Sequence, residues 1–153
     1  MNASAKHVVV ILALVWFGLV LGVSFLATPV KFMAPSLDLP VALDVGRHTF
    51  AALNWLELVA LAALGATLLL ARAPRLLAAA WLALAVILAM QTFWLLPVLD
   101  ARVGVYLAGD VPPESGLHTL YPLVEGLKLL VLLAIGIIGL RGLAVPVAAR
   151  KEA

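Results

Sequence analysis

Four long apolar stretches, at about residues 7–28, 48–72, 75–97 and 117–140, dominate the chain. Each is long enough to cross a hydrocarbon core, which takes roughly 20 helical residues. This constrains the backbone before any side chain is considered, because in lipid every N–H and C=O must be satisfied within the protein. None of the stretches alternates apolar and polar residues as a barrel strand does, so helices are the remaining solution. The expected fold is an all-α, polytopic membrane four-helix bundle, a single transmembrane domain over residues 1–153 whose first partner is the lipid bilayer.

A composition of 65% hydrophobic and 12% charged residues agrees, and it excludes a soluble domain of this length. The absence of cysteine excludes thiol nucleophiles, thiolate-bound haem, iron–sulfur clusters and disulfides. A net charge of +2 is too small and too scattered to suggest nucleic acid, and none is expected as a partner. The first stretch opens on Lys6 and His7 like a secretory signal, but its apolar run is too long and its small-residue cleavage pattern too poor, so it reads as a span.

Lys6, Arg72, Arg75, Arg141, Arg150 and Lys151 gather at one end of the spans, against a lone Glu152. The other two connections carry Asp38, Asp44, Asp100, Asp110 and Glu114 against Lys31, Arg47 and Arg102. The positive-inside rule then puts both termini and the 72–75 turn in the cytoplasm, with loops 29–46 and 98–116 facing outward.

A repeated phrase runs through this topology. GRHTF at Gly46–Phe50 returns as GLHTL at Gly116–Leu120, and SFLATPV at Ser24–Val30 is echoed by TFWLLPV at Thr92–Val98, in the same order. Each half is a helical hairpin of the same orientation, so the expectation is a duplication, with halves 1–72 and 75–141 related by an axis along the membrane normal. Pro29 and Pro97 would mark the exits, and Gly46 and Gly116 the corners before re-entry.

Ionisable residues inside a span are costly and are functional-site candidates by default. Asn54 and Glu57 share a helix face with Arg47, and His118, Tyr121, Glu125 and Lys128 form one stripe on the last span. Gln91 and Trp94 precede the exit at Pro97. At the helical rise Glu57 lies about 14 Å below His48, and Glu125 and Lys128 about 11 and 15 Å below His118. All therefore belong to the outer half, where they would enclose one polar chamber with Lys128 neutralising Glu57 or Glu125. The alternative is a structural ion pair that fixes helix register and binds nothing.

His48 and His118, at equivalent places in the two halves, would gate the chamber. A metal or haem shared between them is an alternative, although no cofactor is predicted and both histidines sit at headgroup level. Gly18 with Gly22, and Ala62 with Ala66, have the spacing that permits close helix contact. Trp16, Trp55 and Trp81 read as interface anchors or core filler. The VPPESG stretch of the 98–116 loop reads as a lid over the chamber.

Arg47, Asn54 and Glu57 resemble the Arg/Asn/Glu pattern opening the second span of microsomal glutathione transferases, which are four-helix membrane proteins of this size. That likeness implies a membrane enzyme acting on a lipophilic substrate through Arg47. Over most of its length, in FLATPVKF, LNWLELVAL, QTFWLLPVLDAR and HTLYPLVEGLKLL, the chain resembles the small bacterial integral membrane proteins related to transmembrane protein 205. This second resemblance implies four spans in a bacterial plasma membrane and assigns no catalytic residue. The expected function is binding or passage of a small polar or amphiphilic molecule or ion. Glu57, Glu125 and Lys128 would supply charge, and Asn54, Gln91 and Tyr121 hydrogen bonds. A proton-coupled role follows if the desolvated carboxylates exchange protons near neutral pH. A structural accessory subunit is a further alternative, and four short helices enclose so little volume that a second copy of the chain is allowed as a partner.

Overall fold

In the computed structural model, which describes residues 1–143, four helical rods lie side by side with their connections at alternating ends. Arg150, Lys151 and Glu152, counted above among the end charges, lie outside the described residues. Helix α1 (Ala3–Val20) continues through a π-helical turn (Leu21–Ala27) into the short α2 (Thr28–Lys31) to make the first span. Helix α3 (Leu39–Leu70) is the second. Helix α4 (Arg75–Met90), a second π turn (Gln91–Leu95) and α5 (Leu96–Leu107) make the third, and α6 (Leu117–Arg141) is the fourth. All four rods are long and apolar enough to cross a bilayer, and no strand occurs among the described residues. The chain is a multi-pass, all-α membrane protein.

The second and third spans are longer than their apolar stretches. The second starts at Leu39 instead of 48, and the third runs to Leu107 instead of 97. At 32 residues the second helix is about 48 Å long, well beyond a core of about 30 Å. Its charged beginning, with Asp44 and Arg47, therefore projects past the apolar region beside the end of α5. Pro40 lies in the first turn, where a missing N–H breaks no helical bond. Gly46 consequently sits inside a helix, not at a corner, whereas Gly116 does cap α6.

Pro97 does not end the third span, and the reason lies in the backbone before it. Inside a helix proline removes a donor and its ring crowds the carbonyl four residues back. Ahead of both Pro29 and Pro97 the helix widens, and the preceding residue bonds five positions back, Thr28 N–H to the Val23 carbonyl and Leu96 N–H to the Gln91 carbonyl. Two of the chain's turns are Schellman motifs. Arg72 (φ 47°) closes α3, with Ala73 N–H on the Leu68 carbonyl, and Gly109 (φ 89°) closes α5, with Asp110 N–H on the Val105 carbonyl.

The half of the bundle that holds the N-terminus and the 71–74 link, here the near half, is filled by apolar side chains. Val9, Ala13, Val20, Leu64, Leu84, Leu88, Leu132 and Ile135 make its centre. Close approach there depends on glycines other than those expected. Gly18 and Gly22 face open space, and Ala62 and Ala66 are exposed. Instead Gly139 accepts Val10 of the first span, and Gly65 accepts the ring of Trp81, whose Nε1–H donates to the Leu61 carbonyl at 2.9 Å. A Cβ added at Gly65 would lie 2.8 Å from three atoms of that ring. Gly65→Ala is accordingly expected to destabilise the bundle by about 1–3 kcal/mol through overpacking. A denaturing-detergent titration against the unaltered chain measures this, and an unchanged midpoint would contradict the packing described.

Candidate functional site

Between the near half and the far end, all four spans contribute polar side chains to one buried network. Lys128 of α6 is at its centre, with its side chain fully buried. The ammonium donates to Glu57 Oε1 at 2.5 Å, Gln91 Oε1 at 2.8 Å and Glu125 Oε1 at 3.0 Å. All three N–H donors of the lysine are thereby used. Gln91 Nε2 donates to Glu125 Oε1 at 2.6 Å, Trp16 Nε1–H to Glu57 Oε1 at 2.9 Å, and the Ser24 hydroxyl to Glu125 Oε2 at 3.2 Å.

Local structure explains the convergence. Glu125 and Lys128 are three residues apart on one helix face. Gln91 opens the π turn ahead of Pro97 and reaches the fourth span, while its neighbour Thr92 turns to the second and exchanges hydrogen bonds with Asn54 at 2.9 and 3.3 Å. Ser24 lies in the other π turn. The carboxylates and ammonium expected to meet thus do so, with Glu57 2%, Gln91 1%, Glu125 0% and Lys128 0% exposed.

No chamber surrounds them, however. The open space lies on the far side, a cavity of about 650 Å³ whose lining includes Asn54 and Tyr121 but none of Glu57, Gln91, Glu125 or Lys128. The four pack against one another because each carries a partner's hydrogen bond, which leaves no gap. Above them the cavity is walled by Phe50, Ala51, Leu58 and Leu96, floored by Ser24, Asn54 and Thr92, and rimmed by Lys31, Arg47 and Asp100. The single expected chamber is therefore two adjoining sites, one close-packed and one open.

Arg47 lies at the rim, its Nε 2.7 Å from Asp44 and its Nη1 3.6 Å from Asp100. Lys31 differs. Its ammonium rests 4.9 Å from the Phe32 ring centroid and 6.0 Å from that of Phe50, and a Cβ built on Gly46 would collide with it. Among the described residues no carboxylate lies within salt-bridge distance of Lys31. Gly46 thus supplies a seat for an ammonium, not a corner.

No family model, no curated protein and no solved structure matches the chain.

Two expected members are not brought into it. His48 is 73% exposed, with Nε2 3.7 Å from Asp44, because the helix carrying it starts well before it and turns it away from the cavity. Trp94 is half exposed and does not line the cavity. The side chain of His118 lies outside the described residues. Among the described residues no group of three or more His, Cys, Asp and Glu side chains is arranged to hold a metal. The VPPESG stretch does not cover the cavity either. It is held to α5, where Arg102 Nη2 donates to the Pro113 carbonyl at 2.6 Å.

Trp16, Ser24, Thr92 and Lys31 take part without having been singled out. Depth would have found the first: Trp16 lies about 18 Å along the helix from Thr28, comparable to the depth of Glu57 below Gly46. The hydroxyls occupy matching positions in SFLATPV and TFWLLPV, a signal the repeated phrase already contained. Nothing in the sequence distinguishes Lys31 from an ordinary interfacial lysine.

Proposed function

We propose that this membrane protein binds a small amphiphile with an anionic head in the far-end cavity. The head would lie against Lys31, and the tail along Phe50, Leu58 and Leu96. The observation that carries this reading is an ammonium on the cavity rim with no acidic partner among the described residues, above apolar walls and a polar floor. A volume of about 650 Å³ is in the range of small-molecule sites. An isolated cation beside apolar walls favours an anion, and hydrogen bonds to charged groups contribute about 1.5–3 kcal/mol.

The buried network fits a second role beside the first, a lock on helix register. Its ammonium and its two carboxyl groups are hydrogen-bonded to one another, and buried polar groups can select one arrangement over others. Orientation with both ends cytoplasmic, residence in a bacterial plasma membrane, assembly with a second copy and kinship with proteins related to transmembrane protein 205 are proposed on the sequence features given above. Duplication of a hairpin is supported by the i to i−5 bond before each proline, while the position of Gly46 inside α3 weighs against it. The reading as an enzyme acting through Arg47 has less support, since that guanidinium is shared between Asp44 and Asp100.

Decanoate and decylamine, with the same tail and opposite heads, test the binding reading. Retention by the full chain is compared by native mass spectrometry from zwitterionic micelles. Decanoate should be retained in preference, and Lys31→Gln should weaken it by about tenfold, equal to about 1.4 kcal/mol. Equal retention of the two, or a Lys31→Gln chain that holds decanoate as well as the original, would overturn the assignment.

A further inference from the structure

The charges of the buried network do not balance. Glu57 and Glu125 carry one negative charge each when ionised and Lys128 one positive, a sum of −1 − 1 + 1 = −1. Among the described residues nothing packed around them supplies the missing positive charge. The first span presents the indole of Trp16 and the hydroxyl of Ser24, and the third the amide of Gln91. Among the described residues the second adds only Glu57 itself, and the fourth adds to Glu125 and Lys128 the phenol of Tyr121, near Glu125 and Ser24. With the two carboxylates 2% and 0% exposed, an uncompensated charge there would be far costlier than a hydrogen-bonded neutral acid.

We infer that the network holds one exchangeable proton on Glu125 Oε2, and that Ser24 passes it to and from the far-end cavity. The hydrogen bonds select the atom. Glu57 Oε1 already accepts from Lys128 and Trp16, and Glu125 Oε1 from Lys128 and Gln91. Among the described residues Glu57 Oε2 has no hydrogen-bond partner to receive a proton. Glu125 Oε2 has the Ser24 oxygen at 3.2 Å, with the Tyr121 phenol close to both, and a hydroxyl can accept as readily as it donates. Ser24 also lines the cavity. In release, the proton moves from Glu125 Oε2 to Ser24 Oγ while Ser24 gives its own hydroxyl proton to water in the cavity. Glu125 is left as a carboxylate, and one proton has left the protein. Uptake is the reverse.

This assignment does not depend on what the cavity binds, and infrared spectroscopy of the full chain in lipid at neutral pH tests it. One protonated-carboxyl C=O band, shifting in D₂O, is expected from the network. The band should vanish in Glu125→Gln and also in Glu57→Gln, because either change balances the remaining charges. Its intensity should double in Lys128→Met. In Ser24→Ala the band should persist at higher frequency, having lost its acceptor, and should exchange with D₂O more slowly. A spectrum without such a band, or one that survives both glutamine variants, overturns the proton. A band unmoved and exchanging as fast in Ser24→Ala overturns the route, and this holds even if Lys128→Met does not fold.

Discussion

Lys128→Met should be among the most destabilising single substitutions in the bundle, at about 3–5 kcal/mol, the range for removing one partner of a buried ion pair. Its side chain is fully buried, and three acceptors lose a donor at once. The two carboxyl groups would then face each other without the ammonium that bridges them. Removing a carboxylate is a different operation. Glu57→Gln or Glu125→Gln leaves one acid and one ammonium, keeps an amide in the same volume, and should cost distinctly less. The ranking, with lysine well above either glutamate, is measured by unfolding each variant in denaturing detergent. A Glu57→Gln chain as unstable as Lys128→Met would show that charge balance does not govern the network. The contrast with the cavity is informative, because Lys128 lines no part of it. Any loss of ligand in Lys128→Met would then come from the fold and not from a missing contact.

Ala51→Trp should abolish occupancy of the cavity while leaving the bundle standing. Ala51 is exposed and lies on the cavity wall beside Phe50 and Asn54, so an indole there would take up the space meant for an acyl tail without entering the packed interior. Retention of decanoate should fall by about a hundredfold or more, equal to about 3 kcal/mol, with the unfolding midpoint held within about 0.5 kcal/mol as for a surface change. Undiminished retention would place the amphiphile elsewhere on the molecule and detach the binding reading from this cavity. Together with Lys31→Gln, the variant separates the two contributions, since one removes the charge and the other removes the room.

The fold was legible because the bilayer admits few solutions: four long apolar stretches could only be helices. Their ends were less legible. Apolarity reports where lipid stops, but α3 and α5 continue past that point with Asp44, Arg47, Asp100 and Arg102 on their surfaces. The π turns could not be read at all, since a proline in a span signals a kink or an end and the backbone chose to widen instead. Glu57, Glu125 and Lys128 were found because charge in a span is expensive wherever it stands. Their close packing was not found, because spacing along a helix gives face and depth but not the volume between faces. His48 and Trp94 were misjudged for a related reason. Each shares a depth with the site, yet the direction of its side chain depends on where the helix begins.

One consequence of the network concerns the order in which the protein is made. Glu57 and its ammonium partner are 71 residues apart along the chain. The second span therefore leaves the ribosome, and meets lipid, before its counter-charge has been translated. Until the last helix docks, that carboxylic acid has to stay neutral, remain hydrated, or wait inside the insertion machinery. Docking of α6 is thus the event that gives Glu57 its counter-charge.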